Sequence, residues 1–168
     1  GDTSYGFVNV GNGNNITSTG GSATLNNNGV YIYSNDKTGS ITNSTNINST
    51  GTDGSNYGIY SSGQADNSGN IDFSNGVGNL GIYMVNGGTG RNSGTITVGA
   101  SDTSKELYSV GMAAGYIGDS NKGIPKTTGT IENNGTINVN GTYGIGMYGA
   151  ENGTTVTNNN NIVLNANN

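Results

Sequence analysis

NSGTITV, residues 92–98, is the stretch that decides how this chain folds. Thr95, Ile96, Thr97 and Val98 alternate polar and apolar, the period-two pattern of a strand with one buried face, and Asn92-Ser93-Gly94 in front of them is turn chemistry. Near copies recur. Aligned on the isoleucine, NGNNI ends at Ile16, NSTNI at Ile47, NSGNI at Ile71, NSGTI at Ile96, NNGTI at Ile137 and NNNNI at Ile162. The fourth residue before the isoleucine is asparagine every time: Asn12, Asn43, Asn67, Asn92, Asn133 and Asn158. In the last four copies another apolar residue follows two places on, at Phe73, Val98, Val139 and Leu164.

A second short strand motif lies between successive copies: GVYIY from Gly29, YGIY from Tyr57, LGIY from Leu80, SVGMA from Ser109 and YGIGMY from Tyr143, with SYGFV from Ser4 as an earlier instance. Successive marker asparagines are 31, 24, 25, 41 and 25 residues apart. Spacings of this size belong to stacked architectures, in which each repeat buries its face only against its neighbours. Two or three short strands joined by Gly, Asn and Ser turns fill such a repeat and leave no room for the helix of a βαβ crossover. The fold expected is all-β: a parallel β-solenoid of about five to six coils, each of roughly 25 residues. The marker asparagine then has a physical role, since it tolerates a left-handed corner and stacked amides hydrogen-bond along the column. Asn43, Asn67, Asn92, Asn133 and Asn158 form this expected structural column, and Gly69, Gly94 and Gly135 serve the same corner.

Composition agrees with a stack and removes whole classes of function. Hydrophobic residues are 30 % and charged residues 9 % of the 168, too few of the first for a conventional core and too few of the second for typical disorder. Five cations against ten acids give a net charge of −5 and no basic stripe for nucleic acid or for anionic membranes. With no cysteine and no histidine there is no disulfide frame and no commonest general base or metal ligand. No cofactor and no metal site are expected, and no stretch is apolar enough for direct membrane insertion. Single-domain length, a start at Gly-Asp and ends without a polar cap suggest one β-solenoid segment, residues 1–168, excerpted from a longer protein.

Stacking turns equal offsets into neighbours, so candidate sites can be read as columns. Thr42, Asp66, Arg91, Glu132 and Thr157 each precede a marker asparagine, which sets the single arginine between two acids as an exposed ion ladder. The catalytic alternative is a pair of carboxylates two coils apart, near the separation of an inverting glycosidase, but an arginine between them would hold both ionised. In the second strand, Tyr31, Tyr60 and Tyr83 are expected to point outward as an aromatic surface column, interrupted at Ala113 and Gly146. The 41-residue repeat carries two insertions, about 100–108 and 115–128. Their Lys105, Glu106, Tyr116, Asp119, Lys122, Pro125 and Lys126 form the candidate binding loop, because insertions leave a solenoid as loops on a rigid scaffold. No calcium-binding nonapeptide and no threonine face in register is present.

With NSGTI, NNGTI, YGIY and LGIY spaced in this way, the chain resembles the passenger region of large autotransporter adhesins of the fusobacterial type. The resemblance covers nearly all of it, departing in the first twenty residues and in the 41-residue repeat. It implies a right-handed parallel β-helix, secreted through a C-terminal barrel and displayed on the bacterial cell surface beyond the outer membrane. It further implies a non-enzymatic role in adhesion, with a host-cell or bacterial surface protein or glycan as partner. The absence of cysteine agrees with passage through such a barrel. Two alternatives remain open at this point: a carbohydrate-active β-helix using Asp66, Asp72 and Glu132, and a purely structural spacer.

Overall fold

The computed structural model describes residues 2–166. The chain winds through six coils of three strands each. Coil 1 holds β1 (Ser4–Asn9), β2 (Asn15–Ser18) and β3 (Ser22–Leu25), and coil 2 holds β4 (Gly29–Ser34), β5 (Ser40–Asn43) and β6 (Asn46–Ser49). Coil 3 follows with β7 (Tyr57–Ser61), β8 (Gln64–Asn67) and β9 (Asn70–Phe73), and coil 4 with β10 (Leu80–Met84), β11 (Thr89–Asn92) and β12 (Thr95–Val98). Coil 5 consists of β13 (Val110–Ala114), β14 (Thr130–Asn133) and β15 (Thr136–Val139), and coil 6 of β16 (Ile145–Gly149), β17 (Thr155–Asn158) and β18 (Asn161–Leu164). First strands stack on first strands, second on second and third on third, giving three six-stranded parallel sheets along the column. The only helical turns among the described residues are two three-residue 3₁₀ turns. The all-β parallel solenoid expected from the repeat is the observed fold.

The interior is built from files of equivalent residues. Ile47, Ile71, Ile96 and Ile137 succeed one another in the third sheet, and Ile32, Ile59, Ile82 and Met112 in the first, all fully buried. Each buried isoleucine contributes roughly 1.5–3 kcal/mol of transfer free energy. Size is compensated across a coil. At Gly90 a methyl group would stand 2.7 Å from Cγ of Met84, so the long thioether of one sheet occupies the space the second sheet leaves empty.

The marker asparagines close the corner between the second and third sheets. Nδ2 of Asn43 donates to Oδ1 of Asn67 at 2.8 Å, and the series continues from Asn67 to Asn92 at 2.9 Å, Asn92 to Asn133 at 3.0 Å and Asn133 to Asn158 at 2.9 Å. Each amide also closes a turn on the residue two places ahead: Oδ1 of Asn92 accepts from the Gly94 N–H while its Nδ2 donates to the Gly94 carbonyl. The reason given above for asparagine and glycine at this corner needs correction. None of these asparagines, and none of Gly69, Gly94 and Gly135, has a positive φ. Glycine is required by proximity instead, since a methyl group at Gly94 would lie 2.1 Å from the Gly69 carbonyl oxygen, and one at Gly135 would lie 2.1 Å from that of Gly94.

Two further expectations are corrected by the register. The residue of coil 1 that pairs with Asn43 is Ser18, and Ile16 pairs with Ile41 in the second sheet, so Asn12 is outside the corner column. In its place Ser18 Oγ shares hydrogen bonds with the hydroxyls of Thr45 and Tyr31. Tyr31 is likewise displaced from the aromatic column: Tyr33, not Tyr31, pairs with Tyr60. The cause is a local irregularity at Gly58, whose equivalent in coil 2 is Tyr31. There the side chain packs against the apolar core and sets its ring edge-on to Phe7, with centroids 5.6 Å apart.

Candidate functional site

The outer face of the first sheet is the most distinctive surface of the molecule. Tyr33, Tyr60 and Tyr83 are consecutive partners across three coils, Ala113 takes the position in coil 5, and Tyr148 takes it in coil 6. The aromatic column therefore has a single gap at Ala113, and it is Tyr148 rather than Gly146 that continues the file. The glycine within YGIY adds a second file, because the irregularity at Gly58 turns both Tyr57 and Tyr60 to the same side. Ring centroids are 5.5 Å apart for Tyr33–Tyr60, 5.0 Å for Tyr60–Tyr83 and 6.1 Å for Tyr57–Tyr83, the last pair nearly parallel at 15°. Tyr5 extends the cluster at the coil 1 end, edge-on to Tyr33. Six tyrosines of this face and the two at its borders, Tyr108 and Tyr116, account for eight of the ten in the chain.

Burial raises the pKa of Tyr83, with a smaller contribution from repulsion by Tyr60 and its neighbours; the same cause raises Tyr60 and Tyr57. All three phenols stay neutral at physiological pH. Tyr83 donates its hydroxyl hydrogen to the Gly115 carbonyl at 2.9 Å, tying the aromatic face to the base of the second insertion.

The two insertions of the long repeat are structural twins that flank this face. SDTSKELY (101–108) precedes β13 and GDSNKGIP (118–125) follows it, so one stands on each border of the first sheet. In the first, Asp102 and Leu107 exchange both backbone hydrogen bonds; in the second, Asp119 and Ile124 do so. Each arm turns through a 3₁₀ turn, Thr103–Lys105 or Ser120–Lys122, capped by the preceding aspartate: Asp102 accepts from the N–H groups of Ser104 and Lys105, and Asp119 from that of Asn121. Each then closes on a left-handed residue, Glu106 at φ 57° or Gly123 at φ 67°. Hydrogen bonds from Ser104 and Lys105 hold the Asp102 carboxyl below the usual carboxylate range, the Ser104 hydroxyl contributing most. The repeated Asp-x-x-Lys-x-(Leu/Ile) spacing is present in the sequence, and comparing the two insertions with each other would have revealed it.

Both arms are pinned to neighbouring coils. The first is held by Ser101, whose N–H donates to the Thr142 carbonyl at 3.0 Å and whose hydroxyl donates to that of Tyr143 at 2.7 Å. The second is held by Thr127, whose Oγ1 accepts from the Asn86 N–H at 2.6 Å, and by the Gly87 N–H donating to the Thr128 carbonyl at 2.9 Å. Two furrows result, one on each side of the Tyr57–Tyr83 pair. The larger, about 580 Å³, has Leu107, Tyr108, Ala113 and Tyr148 among its lining residues; the smaller, about 440 Å³, is bordered by Tyr60, Tyr116, Ile124 and Pro125.

Of the candidate loop residues, Glu106 lines the larger furrow and Tyr116 and Pro125 line the smaller. Asp119 is the cap of the second arm, and Lys105, Lys122 and Lys126 are exposed. Arg91 lies in register with both Asp66 and Glu132 but pairs only with Glu132, at 3.1 Å. Asp66 and Glu132 belong to the second sheet and Asp72 to the third, and none of the three lines either furrow. No group of three or more acidic residues among the described residues is arranged to hold a metal ion.

An aspartate outside every candidate list does the most hydrogen bonding. Asp36 is buried, and its carboxylate accepts from the N–H groups of Gly13, Asn14 and Thr38 and from Nδ2 of Asn9. The Gly13 N–H above all, with the other donors, drives its pKa far below the ordinary carboxylate range. Asp36 anchors the irregular first coil to the second, a role invisible to periodicity because coils 3 to 6 have no equivalent.

The family model described as BigA third pectate lyase-like domain matches residues 3–168. The chain belongs to that family. Among curated proteins and among solved structures nothing matches. Membership of the BigA domain family fits the parallel β-helix and points to a domain of a bacterial surface protein, and the words pectate lyase-like describe a fold. No helix among the described residues is long and apolar enough to cross a membrane.

Proposed function

We propose that this chain is a non-enzymatic segment of a bacterial cell-surface adhesin, a rigid column that presents the arm-flanked tyrosine face to host-cell or bacterial surfaces. The observation that carries this reading is the coincidence on one face of six tyrosines, two more at its borders, two twin arms and two furrows, on a scaffold whose three sheets run unbroken through all six coils. Recognition concentrates on such rigidly held aromatic surfaces and on loops fixed to a stiff scaffold. The BigA family match supports the surface assignment. Secretion as an autotransporter passenger, with anchoring at the outer membrane through a barrel outside this chain, belongs to the same proposal and agrees with the absence of cysteine.

Catalysis is the weaker reading because Asp66, Asp72 and Glu132 do not share a groove and Arg91 is paired to one of them. The test is attachment of beads carrying the chain to cultured epithelial cells and to bacteria. Beads carrying the intact protein are expected to attach, and removal of 118–125, which leaves Ile117 and Lys126 as a two-residue turn closing the Tyr116–Thr127 bridge, is expected to reduce attachment several-fold. Attachment by neither would leave only a structural spacer, and equal attachment by both would take the second arm out of the binding surface.

A further inference from the structure

We propose that the two furrows beside the Tyr57–Tyr83 pair bind a neutral glycan, with pyranose rings packed against the tyrosine faces; this rests on the adhesin reading and names its ligand class. Four features of the site point to this chemistry.

The first is charge. Glu106 is the single ionisable carboxylate lining the larger furrow, and the smaller furrow is lined by no charged residue. A sialylated or uronate chain would find no cation there to offset its desolvation, whereas a neutral ligand loses nothing on that account.

The second is size. Furrows of about 580 and 440 Å³ lie in the range of small-ligand sites, and a stable protein partner needs roughly 800 Å² of surface on each side. The third is surface chemistry. A pyranose ring offers an apolar C–H face and a rim of hydroxyls, and neutral tyrosine offers a flat apolar ring with a hydroxyl that both donates and accepts. The phenols of Tyr57, Tyr60 and Tyr83 are protonated at physiological pH and keep that capacity, burial moving their ionisation further up still.

The fourth is spacing and rigidity. Tyrosines on successive coils are separated by about 4.8 Å of rise, close to the length of one pyranose residue, so a chain lying along the column meets a ring at each step. Ala113 opens the floor between Tyr83 and Tyr148, where a sugar ring fits between two aromatic neighbours in the file. The rings are already packed on one another at 5.0–6.1 Å, so little side-chain freedom is lost on binding.

The experiment is a printed panel of neutral gluco-, galacto- and manno-configured oligosaccharides, sialylated glycans and oligogalacturonate, probed with the intact chain, Tyr148→Ala and Tyr143→Ala. Tyr148 and Tyr143 are both exposed, but Tyr148 lines the larger furrow and Tyr143 lines neither, so both variants should fold and only one should fail to bind. Expected is binding confined to neutral glycans, at least tenfold weaker for Tyr148→Ala and unchanged for Tyr143→Ala, with far-UV circular dichroism the same for all three. A blank panel, binding confined to acidic sugars, or equal loss in both variants would overturn the proposal. A blank panel with bead attachment that depends on Tyr148 would refute the glycan and leave the adhesin reading standing with a protein receptor. Glycan binding without bead attachment would do the reverse.

Discussion

Replacing Asn92 with alanine removes four hydrogen bonds from the corner of coil 4, at a residue with no solvent exposure. Two involve Gly94, whose N–H also donates to the Asn67 carbonyl and whose carbonyl also accepts from the Thr136 N–H, so those backbone groups keep a partner. The other two are links of the ladder. Without Oδ1 of Asn92, one amide hydrogen of Asn67 is left unpaired, its other being engaged by the Gly69 carbonyl at 3.1 Å. At about 1 kcal/mol for each lost bond, less where a backbone partner remains, plus roughly 1–3 kcal/mol for the stranded donor, the expected cost is about 3–6 kcal/mol. Asn158→Ala is the internal comparison: this residue ends the file in an exposed position, and the Nδ2 of Asn133 that bonds it also reaches the carbonyls of Gly135 and Asn161. There about 1 kcal/mol is expected. Urea unfolding followed by circular dichroism measures both. Asn92→Asp adds a pH signature, because its carboxylate would face the Asn133 Oδ1 and the Gly94 carbonyl with nothing to donate. Its folded pKa is raised, so stability is fully present below about pH 4, the unfolded value, and is lost as pH rises through the folded one. If Asn92→Ala costs no more than Asn158→Ala, the ladder is a by-product of stacking and not a cause of it.

Asp36 gives the opposite pH dependence. Its folded pKa is depressed, so its contribution is present above about pH 4 and is lost as pH falls towards the folded value; the stability gap between wild type and Asp36→Asn should narrow in that window and stay constant above it. Gly94→Ala places a methyl group 2.1 Å from the Gly69 carbonyl oxygen and should cost about 1–3 kcal/mol or more in the same urea assay, because backbone must move to admit it. Arg91→Ala removes a half-exposed ion pair and should change stability by less than about 1 kcal/mol, an effect that shrinks further in 1 M salt.

How far the chain could be read before folding depends on whether a residue's role repeats. The corner asparagines recur at one offset, so the stack and the outward facing of Tyr60 and Tyr83 were legible from spacing, whereas only two of the three strands in each coil carry a motif and the sheet that ends on the asparagines is not divided from the turn before the third. Where a role occurs once, spacing carries no signal. Ser18 stands in for asparagine in coil 1, Tyr31 replaces a glycine and turns into the core, and Asp36 organises a junction that no other coil has. The same limit explains the misassigned cause at the corner. A sequence shows that glycine is favoured at 69, 94 and 135 but not whether a positive φ or a carbonyl of the next coil excludes the side chain, and the 2.1 Å approach decides for the carbonyl.

The candidate site obeys a mixed rule. Its floor is periodic, and Tyr60 and Tyr83 were found by offset; its walls are insertions, and their relation lies in likeness to each other, not to the repeat. Twin arms on opposite borders of one sheet present Leu107 to one furrow and Ile124 to the other. If those furrows act as two halves of one ligand site, Leu107→Asp and Ile124→Asp should each weaken attachment, and the double variant should be no worse than the more damaging single one. Independent furrows would instead give effects that add, so a double-mutant cycle on bead attachment separates one extended site from two small ones.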